Sequence, residues 1–173
     1  MFQLIILVVL LAWLMVCMVY DLRFREVPNK LTLIPLIAAG VYALFQGWWA
    51  PVLLTAGLIH FSDFEPREKR LAFALVFAAF AANFQPLLWI QVIALLITWL
   101  LWEFGAMGGA DAKLLMVIAL VVGHPIIFMF IALAGGIQGM AALVLRKKTV
   151  PYIVAIFAGA SLYAVNSTVL RIL

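Results

Sequence analysis

The chain is expected to fold as an all-α, polytopic membrane helical bundle, and three observations predict it. Of its 173 residues, 69% are hydrophobic and 10% are charged, against roughly 25% charged in an average soluble domain. Its uncharged apolar runs are long enough to cross a hydrocarbon core of about 30 Å. In lipid a backbone has to satisfy its own hydrogen bonds, so such runs are helices. The composition leaves no room for a soluble domain, and a single transmembrane domain over residues 1–173 is expected. The formal net charge of +4 would point to nucleic acid in a soluble protein; here it bears on topology, and the expected surroundings are a lipid bilayer, with no nucleic-acid partner. The single cysteine, Cys17, excludes a disulfide framework and a Cys-x-x-Cys metal site, and reads as a small core residue.

Met1 to Tyr20 is apolar and uncharged, without the basic start and small-residue cleavage site of a secretory signal, so it reads as a retained first helix. Arg23, Arg25 and Lys30 follow it, and the positive-inside rule then turns its C-terminal end, with Asp21, to the cytoplasm. Val27-Pro28-Asn29 breaks the helix, because a residue before proline is pushed out of the helical region. Leu31 to Phe45 leads outward to Gln46-Gly47-Trp48-Trp49, a glycine turn with two tryptophans suited to the outer interface. Pro51 to Phe61 and Leu71 to Ala82 are short runs on either side of the most charged stretch, Ser62 to Arg70. Asn83-Phe84-Gln85-Pro86 is an uncharged turn, and Leu87 to Trp102 returns to Gly105-Ala106-Met107-Gly108-Gly109-Ala110-Asp111-Ala112-Lys113. Leu114 to Val122 leads out to Gly123-His124-Pro125, Ile126 to Leu145 comes back to Arg146-Lys147-Lys148, and Val150 to Val169 is the last run.

Ten of the eleven basic residues fall in loops this map assigns inside, Arg171 alone falling outside. The rule fixed only the first helix, so agreement at the other loops supports eight crossings. Six are expected if the two short runs are interfacial or re-entrant. Either count puts Asp21 and Asp111 on one face of the membrane.

Asp111 is the residue to explain. A carboxylate close to membrane depth is costly enough that a functional role is the first hypothesis and a partner is sought. Asp21, also where an apolar run meets the cytoplasm, is that partner. Two neighbouring aspartates share one proton, so one acts as base on a water and the other as acid. Each also has a plainer reading: Asp111 as the cap of a helix after a Gly-Gly-Ala break, and Asp21 as an interfacial carboxylate balanced by Arg23 or Arg25. Gly108 and Gly109 are expected to allow an irregular or close-packed backbone before Asp111. Lys113, two positions on, points away from Asp111 on a helix and suits a snorkelling topological role. Glu103 reads as a solvated interfacial carboxylate. His60 and His124 fall at opposite faces, so they share no metal; no metal site and no cofactor are expected, and no glycine-rich phosphate loop, serine-nucleophile motif or zinc signature is present.

Two segments carry a resemblance. Tyr20-Asp21-Leu22-Arg23-Phe24-Arg25-Glu26-Val27-Pro28-Asn29 resembles the "D, basic, [IV]-P-N" segment after the first helix of the type IV prepilin peptidases, GxGD-type membrane aspartic proteases. Gly108-Gly109-Ala110-Asp111-Ala112-Lys113-Leu114-Leu115 resembles their second motif, GxGD followed by x-K-L-L, and Val150-Pro151-Tyr152 is a weaker echo of a proline-aromatic pair before the last helix. The resemblance implies that Asp21 and Asp111 are the catalytic pair. It implies as substrates the type IV prepilin-like or archaellin-like precursors, which lose a short basic leader at the cytoplasmic face of a prokaryotic cell membrane. Ala110 stands where GxGD has its second glycine, as in archaeal-type members. Without a cysteine-rich loop, the chain is similar to the short, peptidase-only forms such as archaeal preflagellin peptidases. The rival readings are a small proton- or cation-coupled transporter, whose carboxylates belong near mid-membrane, a presenilin-type protease, with both aspartates inside helices, and a catalytically inactive scaffold of pilus assembly. Neither the oligomeric state nor the particular precursor follows from the residues.

Overall fold

The computed structural model describes residues 2–63, 65–146 and 151–172. Met1, Phe64, Lys147, Lys148 and Val150, and the side chains of Asp63 and Arg171, lie outside the described residues. Among the described residues eight α-helices follow one another: α1 (Phe2–Phe24), α2 (Asn29–Phe45), α3 (Trp49–His60), α4 (Arg67–Phe84), α5 (Trp89–Glu103), α6 (Gly109–Val121), α7 (Ile126–Val144) and α8 (Tyr152–Ile172). There is no strand among the described residues. Gln3–Phe24, Pro86–Glu103 and Ile126–Val144 are long and apolar enough to cross a membrane. Large apolar side chains such as Val8, Val9, Ile34, Val76 and Leu133 are more than half exposed, which suits lipid rather than water. The molecule is an all-α helical membrane protein.

The helices form two compact units, residues 1–31 with 126–173 and residues 32–125. In the first unit α8 packs on α7 and on α1. Leu10, Leu14 and Cys17 are buried on one face of α1, and Ile153, Ile156 and Ala160 on one face of α8, at the three- and four-residue spacing of a helical stripe. The α7–α8 contact is close enough that a Cβ on Gly159 would collide with the backbone of Ile131. The Trp13 indole N–H donates to the Leu31 carbonyl at 2.9 Å, holding α1 to the start of α2.

In the second unit, side-chain bonds define two ends. At one, Gln85 Nε2 donates to the Gly47 carbonyl at 2.7 Å and its Oε1 accepts from the Ala50 N–H at 3.1 Å. The Trp48 ring lies against Gly123, whose carbonyl accepts from Gln91 Nε2 at 2.9 Å. At the other end, Arg70 joins Ser62 to Glu103. Helices α3 to α6 therefore run alternately between these ends. The two short runs form an end-to-end hairpin within this unit, and the charged stretch lies at the same end as the turn leading to Asp111.

The sequence map placed the fourth helix too late. Arg67, Glu68, Lys69 and Arg70, read as loop, form the first turn of an 18-residue α4. Its buried Ala74, Ala78 and Ala81 present a small-residue face to α3 and α5, on which α4 packs. From Ala112 to Leu120 every residue of α6 except Lys113 is buried. A helix apolar on all sides belongs in a core, and Asp111 stands at its head.

Candidate active site

Asp111 is the third residue of α6, with Gly108 as its N-cap. The glycine-rich stretch does not loosen the backbone at the aspartate as expected; it leads straight into a regular helix. Nor is Asp111 the cap. The orphan N–H groups of a helix start and the positive end of its dipole favour a carboxylate within the first turn. The Asp111 side chain turns back over Gly108, so that a Cβ there would lie 3.2 Å from Oδ2. Gly108 has φ −68° and ψ 149°, which any residue adopts, so the glycine is required by space beside the carboxylate. A Cβ on Gly109 would meet the indole nitrogen of Trp102, again at 3.2 Å. The N-terminus of α6 is thus seated against the last turn of α5. Ala110 occupies an ordinary right-handed helical position, for which alanine is the best residue, so its replacement of a glycine introduces no strain. Asp111 and Lys113 are both half-buried and Gly108 is exposed.

The turn before Asp111 is tightly specified. Gly105, at φ +70°, is the left-handed residue past the end of α5. Its N–H donates to the Trp102 carbonyl at 2.9 Å and the Ala106 N–H to the Leu101 carbonyl at 2.8 Å, while Met107 N–H also reaches Leu101 at 3.1 Å. This is a Schellman ending, which satisfies carbonyls that α5 would leave unpaired. The solvated reading of Glu103 is overturned. Its side chain is 8% exposed and its Oε1 pairs with Arg70 Nη2 at 2.8 Å and Arg67 Nε at 3.5 Å. Arg67 also donates to the Glu103 carbonyl at 3.1 Å and lies 4.3 Å from the centre of the Phe104 ring.

Asp21 belongs to the other unit. It lies inside α1, one turn before the end, rather than just after the helix; α1 continues to Phe24. The helix stops at Arg25, a non-glycine residue at φ 58°, whose N–H donates to the Asp21 carbonyl at 2.9 Å. That is a left-handed helix ending. Asp21 is half-buried, whereas Arg23, Pro28 and Asn29 are exposed. Pro28 lies in the break and Asn29 opens α2.

Sequence reasoning missed the partnership of Glu103 with Arg67 and Arg70, and that of Trp102 with Gly109. The spacing of Arg67 and Arg70 is that of one helix face, a signal hidden by reading them as loop. Among the described residues no three of the His, Cys, Asp and Glu side chains come together as a metal site would require.

Residues 70–165, more than half of the chain, match the model of the type IV leader peptidase family. The matched stretch contains Asp111 and begins after Asp21. Neither the curated proteins nor the solved structures yield a match to the chain.

Proposed function

From the membership of this chain in the type IV leader peptidase family, we propose that it is an aspartic endopeptidase in which Asp21 and Asp111 form the catalytic pair. It removes the leader of prepilin-like or archaellin-like precursors at the cytoplasmic face of a prokaryotic cell membrane that it crosses several times. The observation that carries this reading is Asp111 itself: a half-buried carboxylate in the first turn of a buried helix, inside the stretch that matches the family model.

The ionised aspartate takes a proton from a water, whose oxygen attacks the scissile carbonyl. The protonated aspartate gives its proton to the leaving amide nitrogen as the carbon–nitrogen bond breaks. The start of α6 favours negative charge on Asp111, which assigns it the base and Asp21 the acid in the first step. The precursor's hydrophobic segment stays in the bilayer, and its leader enters from the aqueous side.

The test is a cleavage assay in membranes with a tagged precursor carrying a basic leader, a glycine or alanine at the cut and a hydrophobic segment. Wild type is expected to release the leader. Asp21→Asn and Asp111→Asn are each expected to lower the rate at least about a thousandfold while remaining inserted and folded; Lys113→Ala should lower it far less. Near-full activity in either Asn variant would disprove the two-aspartate mechanism. Absence of cleavage by every form, with precursors from its own genome included, would favour a transporter or scaffold.

A further inference from the structure

We infer that Glu103, gripped by Arg67 and Arg70, is a positioning residue for Asp111; the inference rests on Asp111 being catalytic. Three observations lead to it. First, the carboxylate of Glu103 is 8% exposed and both of its cationic partners come from the first turn of α4, so the cluster ties the start of α4 to the last residue of α5. A carboxylate so deeply placed is held in one geometry by its partners.

Second, the contacts of the arginines converge on two consecutive residues. Besides its ion pair, Arg67 donates to the Glu103 carbonyl and stacks on the Phe104 ring, while Arg70 braces the cluster against the Ser62 carbonyl at 2.8 Å. Glu103 and Phe104 are the last residue of α5 and its cap, where the Schellman turn through Gly105 begins.

Third, the chain from that turn to Asp111 has little slack. The Leu101 carbonyl accepts from both Ala106 and Met107, and Gly109 rests on the Trp102 indole. A shift of Glu103 is therefore passed to the N-terminus of α6 and to the carboxylate over Gly108. The charges of Arg67 and Arg70 have a second use besides topology: they set the position of a helix start five and six positions beyond the residues they grip.

The test compares Glu103→Gln, Arg70→Gln, the double variant and Arg70→Lys in detergent-solubilised, full-length protein, using the precursor described above. kcat and KM are measured per folded molecule, the folded fraction being taken from gel filtration. Each Gln variant is expected to lower kcat about tenfold with KM within twofold, as a displaced catalytic group does. The double variant should lose no more than the worse single one, because both remove the same pair, and Arg70→Lys should recover most of the loss. Arg67→Gln, on the more exposed partner, should give a smaller loss and serves if the Glu103 variant does not fold. Unchanged kcat per folded molecule, with only the folded yield falling, would overturn the inference and leave the cluster a purely structural tie. Asp111→Asn in parallel separates the two claims: if it stays active, the catalytic assignment fails independently of what Glu103 does.

Discussion

At Asp111 the residue types just before it are set by space, and each by a different neighbour. Gly108 leaves room for the carboxylate, Gly109 for the Trp102 indole, and Ala110 occupies an ordinary helical position. Gly108→Ala should therefore push the Asp111 side chain aside and lower the cleavage rate about tenfold with little change in thermal stability. Ala110→Gly should do the reverse: the rate is kept while the helix loses up to about 1 kcal/mol. Cleavage rates and melting temperatures of the two variants check this, and equal rates for both would show that the side chain finds another rotamer. This part of the site was only half legible in the sequence. The pattern Gly-Gly-Ala-Asp marks a place where glycine is needed, but not whether the need is conformational or steric. The residue that decides it at Gly109, Trp102, lies across a turn. Gly105, the one glycine in this turn with a left-handed backbone, looks no different in sequence from its neighbours.

Helix boundaries were legible wherever a breaker marks them. Val27-Pro28, Gln46-Gly47, Gln85-Pro86 and Gly123-His124-Pro125 lie between helices as their residue types predict, with Asn83 and Phe84 closing α4. The start of α4 was not, because Arg67 to Arg70 form a charge cluster that reads as solvated loop. The ion-pair partner of Arg67 and Arg70, Glu103, lies on another helix, and no local periodicity records a partner that distant. Helix contacts are likewise carried by single residues that sequence alone does not distinguish. Gly159 on α8 meets the backbone of Ile131 on α7 with no room for a side chain. In a membrane, helix association depends on close packing, so Gly159→Ala should separate the two helices and destabilise the protein by about 1–3 kcal/mol. Gly136→Ala on α7, where nothing lies within 4 Å, should be neutral. Thermal denaturation in detergent compares them, and a matching loss in both would mean that glycine is needed at neither place for packing.

For the molecule as a whole, the decisive quantity is which aqueous face each loop meets. By the positive-inside rule the basic residues lead us to expect the loops after α1, α3, α5 and α7 inside, and an ion pair bears on two of them. Arg70, in the first turn of α4, joins Ser62 after α3 to Glu103 at the turn before Asp111, so those two connections lie at one end of their unit even though α3 has only 12 residues. An interfacial pair of short runs would leave the charged stretch outside and a re-entrant pair would leave it within the bilayer, in both cases away from the turn before Asp111, so the ion pair favours eight crossings over six. Cys17 is buried, so single cysteines introduced into a Cys17→Ala background report sidedness cleanly. Cysteines at the exposed positions Glu26, Glu68, Ala106 and Arg146 should react with a membrane-impermeant maleimide only in inside-out vesicles. Those at Gln46, Leu87 and His124 should react only in intact cells. Labelling of Glu68→Cys from outside would restore the six-crossing arrangement. Labelling of Glu26→Cys and Ala106→Cys from opposite faces would be more damaging, since it would put Asp21 and Asp111 on different sides of the bilayer, and no shared proton or common water could then join them.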